Sequence, residues 1–224
     1  MSVKGKMLRM LSGFLKEATV RNVQSVGTDF RRLVLSGEGL PTPEPGAKVQ
    51  VLLPGDEVRT WSPIASSDGL VLLGYLHAPG PGGAWMRTVK DGDRVHFAGP
   101  QRSLVLPPGP IILVGDETSV AVAAGYEVQS RGRVVAAVFE AGEPSATAEA
   151  AAAVGLRSVH TVARGDHQGM VDAVAQARAS SAEAVIALTG GSELVLAVRE
   201  GLRARGLSDI KTKTYWIPGR SGLD

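Results

Sequence analysis

The chain contains no cysteine in 224 residues. Disulfide bonds, iron–sulfur clusters and thiol catalysis are therefore excluded, and the absence fits a reducing cytoplasm, where we expect the protein to work. Any redox chemistry has to come from a bound cofactor, because no remaining side chain is a ready two-electron carrier.

Long apolar runs are also missing. No run reaches the roughly 18 residues that a membrane-spanning helix needs, so we expect no membrane span. Near the N-terminus, Lys4, Lys6, Arg9 and Lys16 interrupt the apolar residues, which argues against a signal peptide. The apolar residues fall near one face of a helix predicted over residues 3–16. Such a helix lies either on a membrane surface or against protein; we favour the second, which allows a partner protein or a homo-oligomer.

Residues typical of catalytic centres are sparse. The four histidines, His77, His96, His160 and His167, show no metal-ligand spacing, and no Ser-His-Asp set or pair of carboxylates stands out. We therefore predict neither a metal site nor hydrolysis. A net charge of +2 is too small to indicate nucleic acid as a partner.

The pattern of the chain changes near residues 106–110, Leu-Pro-Pro-Gly-Pro. Before this segment, short β-type runs alternate with turn residues; the clearest runs are 17–26, 31–36, 48–53, 69–77 and 93–97. Short strands at this spacing predict an antiparallel barrel or sandwich, which we place in a first domain over residues 1–107.

After the proline-rich segment, strands and helices alternate. The predicted strands are 111–114, 134–140, 159–162, 184–189 and 212–217, and the predicted helices are 119–130, 146–154, 170–179 and 193–205. This alternation predicts a second, α/β domain over residues 108–224, with a parallel sheet covered by helices on both faces. The proline-rich segment is the predicted hinge between the two domains.

The first group of residues with suggestive chemistry is Arg59-Thr60-Trp61-Ser62. A guanidinium can hold a pyrophosphate through two parallel hydrogen bonds. On a strand, Arg59 and Trp61 share a face while Ser62 points the other way. The indole can then cover a flat ring, and the hydroxyl can bond to a polar ring edge. A surface arginine beside a core tryptophan is an equally common explanation.

The second group spans residues 77–85 and contains His77, Gly80, Pro81, Gly82 and Gly83. The last two glycines precede a short predicted helix over residues 84–89. Backbone N–H groups at a helix start, exposed by glycines, form an anion site. A long turn without a ligand explains the same residues. His77 fits a cofactor loop better than a metal site.

The third group follows the first strand of the second domain. Asp116, Thr118 and Ser119 lie where that strand meets its helix, and the two hydroxyls can cap the helix and donate to a phosphate. The segment is not a GxGxxG motif. Glu140 ends the next strand, where an acid can bind a ribose hydroxyl or serve only as a surface charge. Gly190-Gly191 ends the fourth strand and is also expected to face a ligand.

Together these segments resemble the siderophore-interacting protein family, the flavin-dependent ferric-siderophore reductases of the ferredoxin-reductase-like superfamily. Residues 59–62 resemble its Arg-x-Tyr-Thr/Ser motif, and residues 77–85 resemble its His-x-x-Gly-Pro-Ala-Ser-x-Trp-Ala segment. Residues 115–118 match its Gly-Asp-Glu-Thr, and residues 215–220 resemble its terminal Tyr-Trp-Arg-x-Gly. The chain departs from the family pattern at Gly191, where the family commonly has Glu.

The resemblance implies FAD in a β-barrel, with Arg59 on the pyrophosphate, Trp61 against the flavin or the adenosine and Ser62 near N5 of the ring. Gly82 and Gly83 would offer backbone N–H groups to the phosphates. NAD(P)H would bind the second domain and deliver hydride. The flavin would split it into single electrons for a ferric siderophore or a similar iron chelate, so no side chain is expected as the catalytic group.

Two other functions stay open: a non-catalytic accessory protein that binds flavin or nucleotide, and a flavin reductase-type electron donor to a partner protein. Lys211, Lys213 and Arg220 form a basic group near the C-terminus. This group is either a solvated face or a surface that recruits anionic ferric chelates. Trp216, in the terminal motif, is either a core residue or part of the cofactor site.

Overall fold

The structure, a computed structural model, describes residues 15–76, 80–130 and 132–220. The chain divides into two compact units, Met1–Ser103 and Leu104–Asp224. Most of the helix predicted over residues 3–16 lies outside the described residues. Its predicted end is wrong, because Lys16 begins the first strand, where it pairs with Phe97.

The described residues of the first unit form seven strands and one helix: β1 (Lys16–Val26), β2 (Phe30–Ser36), β3 (Ala47–Leu53), β4 (Glu57–Trp61), β5 (Ile64–Ser66), β6 (Gly69–Tyr75), α1 (Pro81–Thr88) and β7 (Arg94–Arg102). The strands form one antiparallel sheet in the order β4-β3-β7-β1-β2-β6-β5. The predicted antiparallel domain is confirmed.

Alternation along the strands creates the core of this unit. Every second residue turns to one side of a strand, so a single apolar face forms wherever apolar residues recur at that period. The buried alternating sets are Ala18/Val20, Leu33/Leu35, Val49/Val51/Leu53, Leu70/Leu72 and Val95/Phe97. Met86 and Val89 bring α1 onto this core.

The second unit alternates strands and helices: β8 (Ile111–Gly115), a 3-10 turn (Glu117–Ser119), α2 (Val120–Gln129), β9 (Val134–Ala141), α3 (Pro144–Ala153), β10 (Val159–Ala163), α4 (His167–Ser180), β11 (Val185–Gly191), α5 (Ser192–Ala204) and β12 (Ile210–Trp216). All its strand pairs are parallel, in the order β10-β9-β8-β11-β12. The predicted α/β domain is also confirmed.

The central strands β8 and β11 are buried at every residue. A strand is buried throughout only when both faces of its sheet are covered, which explains the continuous apolar runs in their sequences. Because every connection returns to the same end, the carboxyl ends of the strands meet at one edge of the sheet. Ligands of open α/β sheets bind at that edge.

Several elements of the first unit differ from the predictions. The strand predicted to end at residue 97 continues as β7 to Arg102, where it pairs with Ala47 of β3. Helix α1 begins at Pro81 rather than residue 84, because a proline is well suited to the first helical position. The short β5 was not predicted, since three residues are too few for a periodic pattern.

Residues 104–110 belong to the second unit and are bonded within it. The Tyr126 hydroxyl donates to the carbonyl of Leu104 at 2.7 Å, and Arg133 donates to the carbonyls of Gly109, at 2.8 Å, and Pro107. Across the three described ranges, we find no helix with the length and apolar character needed to span a membrane.

Candidate functional site

In the first unit, β4 orients two of the predicted residues. Arg59 pairs with Val51 and Trp61 pairs with Val49 on the neighbouring strand β3, so both side chains leave the same face of β4. Thr60 leaves the opposite face and is exposed. Ser62, just after the strand, is half-buried.

The Arg59 guanidinium is held by its own strand. Its Nη1 donates to Glu57 Oε2 at 3.0 Å and to the carbonyl of Val58 at 2.7 Å. A guanidinium has five N–H donors in a planar fork, so these two bonds fix its direction without exhausting its donors. The side chain is 25% exposed, which leaves it accessible to an anion.

Helix α1 is seated beside β6 by a close contact. A Cβ on Gly74 would lie 2.6 Å from Cγ of Met86, so only glycine lets the helix approach this closely without a shift. Arg31 on β2 donates from Nη1 to the carbonyl of Met86 at 2.5 Å, and Arg87 donates to the carbonyl of Leu76. These contacts fix the helix and its N-terminus.

That N-terminus lies against β4. A Cβ built on Gly82 would lie 3.4 Å from Cγ of Arg59 and 3.7 Å from Cζ2 and Cη2 of Trp61. The structure therefore brings together residues that lie more than twenty positions apart in the sequence. Gly80 is the N-cap with φ 122°, a conformation that favours glycine, and Pro81 is the first helical residue.

The first turn of α1 contains backbone N–H groups that make no hydrogen bond within the helix. Its first intrahelical bond runs from Ala84 N to the carbonyl of Gly80 at 3.1 Å, which leaves the N–H groups of Gly82 and Gly83 without helical acceptors. No side chain among the described residues caps this turn. The helix start and Arg59 together favour an anion. His77 lies outside the described residues.

Trp61 also has a structural role. Its ring meets Trp85 of α1 edge-on, with centroids 5.2 Å apart and an interplanar angle of 60°. Both rings are partly buried against the core of the first unit. The two interpretations of Trp61, core residue and cofactor contact, are therefore compatible in one half-buried ring.

In the second unit, Asp116 is the centre of a hydrogen-bond network at the carboxyl edge. Its Oδ1 accepts from Thr118 N at 2.9 Å and from the Thr118 hydroxyl. Its Oδ2 accepts from Gly191 N and from Trp216 Nε1, each at 2.8 Å. Burial raises the pKa of Asp116, although the three partners oppose this by favouring the carboxylate. That Asp116 also touches a cofactor stays a prediction.

The glycines at the end of β11 make room for this network. A Cβ on Gly190 would lie 2.6 Å from Oδ2 of Asp116, and Gly190 has φ 108°. A Cβ on Gly191 would lie 2.5 Å from Cζ2 of Trp216, so the indole occupies the space that a side chain at position 191 would need. Trp216 is still 39% exposed and can contact a ligand.

The two hydroxyls at the end of β8 have different roles. That of Thr118 is bonded to Asp116. Ser119 is fully buried, and its Oγ has no hydrogen-bond partner within the part of the chain that the structure describes. Buried polar atoms are nearly always bonded, so Ser119 is an orphaned donor at the predicted nucleotide edge.

Glu140, at the end of β9, is 7% exposed. Its Oε1 accepts from Gly165 N at 2.8 Å and lies 3.4 Å from His167 Nε2. Its Oε2 lies 4.0 Å from Nη1 of Arg164. The other terminal nitrogen of Arg164, Nη2, donates to the buried Glu117. Sequence reasoning missed Arg164. The available signal was its position directly after β10, at the same sheet edge.

The basic residues of the C-terminal region are only partly grouped. Lys211 and Lys213 alternate along β12, opposite Ala187 and Thr189 of β11, and so share one face. Arg220 lies in the turn beyond the strand and is exposed. Their role in binding a chelate stays a prediction.

Comparison with known proteins agrees with this architecture. Residues 109–219 match the family model described as siderophore-interacting protein. A siderophore utilization protein from T. fusca is 20% identical, with a TM-score of 0.64 over 94% of this chain and 95% of that chain. The siderophore-interacting protein SipS from Aeromonas hydrophila is 19% identical, with a TM-score of 0.70 over 91% of this chain and 98% of that chain.

Phthalate dioxygenase reductase, described as a modular structure for electron transfer from pyridine nucleotides to [2Fe-2S], is 19% identical, with a TM-score of 0.73 over 91% of this chain and 69% of that chain. No curated protein matches the sequence. At these identities the solved structures establish the fold, and the family model adds the family. Residues 109–219 therefore belong to the siderophore-interacting protein family that the motifs predicted, and the chain has a ferredoxin-reductase-like fold.

Proposed function

We propose that this chain is an FAD-dependent oxidoreductase that takes electrons from NAD(P)H and passes them to a ferric siderophore or a similar iron chelate. The observation that carries the proposal is the meeting of Arg59 and Trp61 with Gly82 at the start of α1. When bound, FAD would supply the chemistry, because a flavin accepts hydride and releases electrons singly. The family of the second unit supports the same function.

The first unit fits the pyrophosphate of FAD. Arg59 supplies a planar fork of donors, and Gly82 and Gly83 supply two backbone N–H groups without helical acceptors. Both carry positive charge or partial charge, and a Cβ built on Gly82 would lie 3.4 Å from Cγ of Arg59. Trp61 offers a half-buried ring against which the isoalloxazine or the adenine can pack.

The second unit fits a dinucleotide at its carboxyl edge. The buried Ser119 hydroxyl has no partner among the described residues, and such an atom fits a site whose acceptor belongs to a ligand. Asp116 holds the ends of β8, β11 and β12 together, so this edge is organised before any ligand binds. The half-exposed indole of Trp216 offers a flat surface there.

The chelate is the least constrained part of the proposal. Lys211 and Lys213 put two positive charges on one face of β12, and Arg220 adds a third just beyond it. Ferric siderophores are commonly anionic, so this face would raise their local concentration.

Anaerobic mixing tests the proposal. Protein reconstituted with FAD should lose flavin absorbance on addition of NADH or NADPH and regain it on addition of a ferric tris-catecholate. The same chelate loaded with Ga(III), which binds similarly but takes up no electron, should not restore the absorbance. Reduction without recovery on the iron chelate would indicate an electron donor to a partner protein.

A second candidate function is a non-catalytic accessory protein that binds flavin or nucleotide. It is favoured by Gly191, which stands where the family commonly has Glu and whose side-chain space is taken by the ring of Trp216. Failure of both nucleotides to bleach a bound flavin would support this function and would eliminate the reductase.

A further inference from the structure

Two buried carboxylates share one arginine at the carboxyl edge of the second unit. The side chains of Glu117 and Glu140 are 2% and 7% exposed, whereas that of Arg164 is 46% exposed. Arg164 donates from Nη2 to Glu117 Oε1, and its Nη1 lies 4.0 Å from Glu140 Oε2. We call these three residues the Glu-Arg-Glu cluster.

Backbone donors complete the cluster. Gly142 N donates to Glu117 Oε1 at 2.8 Å, and Gly165 N donates to Glu140 Oε1 at 2.8 Å. His167 lies 3.4 Å from that second oxygen. Two carboxylates face one guanidinium, so the formal charge of the Glu-Arg-Glu cluster is negative. This charge is partly shielded from solvent, so it acts on a neighbouring ligand more strongly than a surface charge does.

The cluster lies at the position where dinucleotide-binding sheets recognise the adenosine ribose. In dinucleotide-binding sheets, an acid at the end of the second strand binds the 2′-hydroxyl of NADH, and a free arginine nearby accommodates the 2′-phosphate of NADPH. Glu140 is at the end of β9, the neighbour of β8. Arg164 is at the corresponding end of β10, but it is engaged by the two carboxylates.

We infer that the Glu-Arg-Glu cluster selects NADH over NADPH. This inference rests on the proposed function, because it assigns the nucleotide of the same site. Glu140 Oε2 is 4.0 Å from Arg164, longer than a hydrogen bond, and can accept from a ribose hydroxyl. A 2′-phosphate would instead meet an excess of negative charge, because two carboxylates face the one guanidinium and Glu117 already accepts a hydrogen bond from it.

Calorimetry on the flavin-free protein tests the inference without turnover. ADP-ribose should bind at least about tenfold more tightly than 2′-phospho-ADP-ribose, since like charges placed together strongly disfavour the wrong partner. Glu140→Gln should reduce this ratio several-fold, chiefly by improving binding of the phosphorylated compound. Glu117→Gln removes the same charge from the other carboxylate and should act in the same direction. Circular dichroism checks that both variants fold.

Glu183→Gln is the matched control, because Glu183 is exposed and precedes β11 at the opposite edge of the sheet. Equal binding of the two compounds, tighter binding of the phosphorylated one, or no binding of ADP-ribose would overturn the inference. The inference would also be overturned if the ratio of the two affinities in Glu140→Gln and in Glu117→Gln equalled the ratio in the control. If the flavin is still bleached by both dinucleotides, the proposed function survives this failure; if neither bleaches it, the proposed function fails.

Discussion

The indole nitrogen of Trp216 donates a 2.8 Å hydrogen bond to Oδ2 of Asp116, a residue 100 positions earlier in the chain. The same oxygen accepts from the backbone of Gly191, 75 positions after Asp116. One carboxylate thus ties three strand ends of the second unit together, and the predictions for this unit follow from it.

Replacing Trp216 by Phe should lower the free energy of unfolding of the second unit by about 1–2 kcal/mol. Hydrogen bonds to charged groups contribute about 1.5–3 kcal/mol each, and partial exposure of the indole moves this one toward the lower end. Urea denaturation followed by circular dichroism measures the change. Thr212→Val, at an exposed position of the same strand, should change stability little. A Trp216→Phe protein as stable as the wild type would show that the bond contributes nothing.

Gly191→Ala should displace the indole, because the added Cβ would lie 2.5 Å from Cζ2 of Trp216. Overpacking of this kind costs about 1–3 kcal/mol. Tryptophan emission should shift to longer wavelength in a variant that also carries Trp61→Phe and Trp85→Phe, so that Trp216 alone is observed. The control is Gly142→Ala, whose added Cβ would meet only atoms at 3.5 Å or beyond. Unchanged emission would mean that the indole does not lie over Gly191.

Arg59→Ala should weaken FAD binding by roughly tenfold to a hundredfold while the fold is retained, because it removes charge-assisted bonds to the pyrophosphate. Arg59→Lys should recover only part of the affinity, since an ammonium lacks the planar fork. Flavin fluorescence measures the affinity, and Arg21→Ala, an exposed position on β1, is the control. Unchanged affinity in Arg59→Ala would remove the pyrophosphate from this site.

Gly82→Ala, at the start of α1, should weaken FAD binding without disturbing the fold. The added Cβ would meet Arg59 at 3.4 Å and Trp61 at 3.7 Å, which are ordinary contacts, so the variant should fold. It should nevertheless bind FAD several-fold more weakly, because the methyl group occupies the approach to the backbone donors of α1. Wild-type affinity in this variant would place the phosphates elsewhere.

The raised pKa of Asp116 predicts a pH dependence of stability. Because burial raises this pKa, the folded protein takes up a proton at Asp116 before the unfolded chain does. The contribution of this group to stability therefore increases as the pH falls through its folded pKa toward the ordinary value of 3.8. Asp116→Asn removes the titration.

The measurement is the free energy of unfolding of wild type and Asp116→Asn from neutral to mildly acidic pH. The free energy of unfolding of the wild type should rise relative to that of the variant as the pH falls. The constant difference that arises from lost hydrogen bonds does not affect this slope. Parallel curves would show that Asp116 titrates alike in the folded and unfolded states.

Much of the architecture could be predicted because it depends on local pattern. The alternation at Val49, Val51 and Leu53 marks a strand with one apolar face, and the continuous run at residues 111–114 marks a strand covered on both. A strand through Arg59 also predicts that Arg59 and Trp61 share one face, and their pairing with Val51 and Val49 agrees with this.

The contacts of the buried acids could not be predicted in the same way. Glu117 and Arg164 are 47 positions apart, and nothing in the spacing between them indicates contact. Asp116 was predicted to bind a ligand because it follows a strand at the edge where ligands bind. Its four hydrogen bonds to Thr118, Gly191 and Trp216 depend on tertiary placement, which local periodicity does not encode.

The long sequence separation of the Asp116 bonds has a consequence for the order of folding. Contacts between distant segments form late, because a large loop must close before they contribute. A nascent chain that has emerged only as far as β11 would lack the indole partner of a carboxylate that is buried in the finished unit. The carboxyl edge is therefore expected to become ordered only when β12 docks, which makes the last strand the step that completes the second unit.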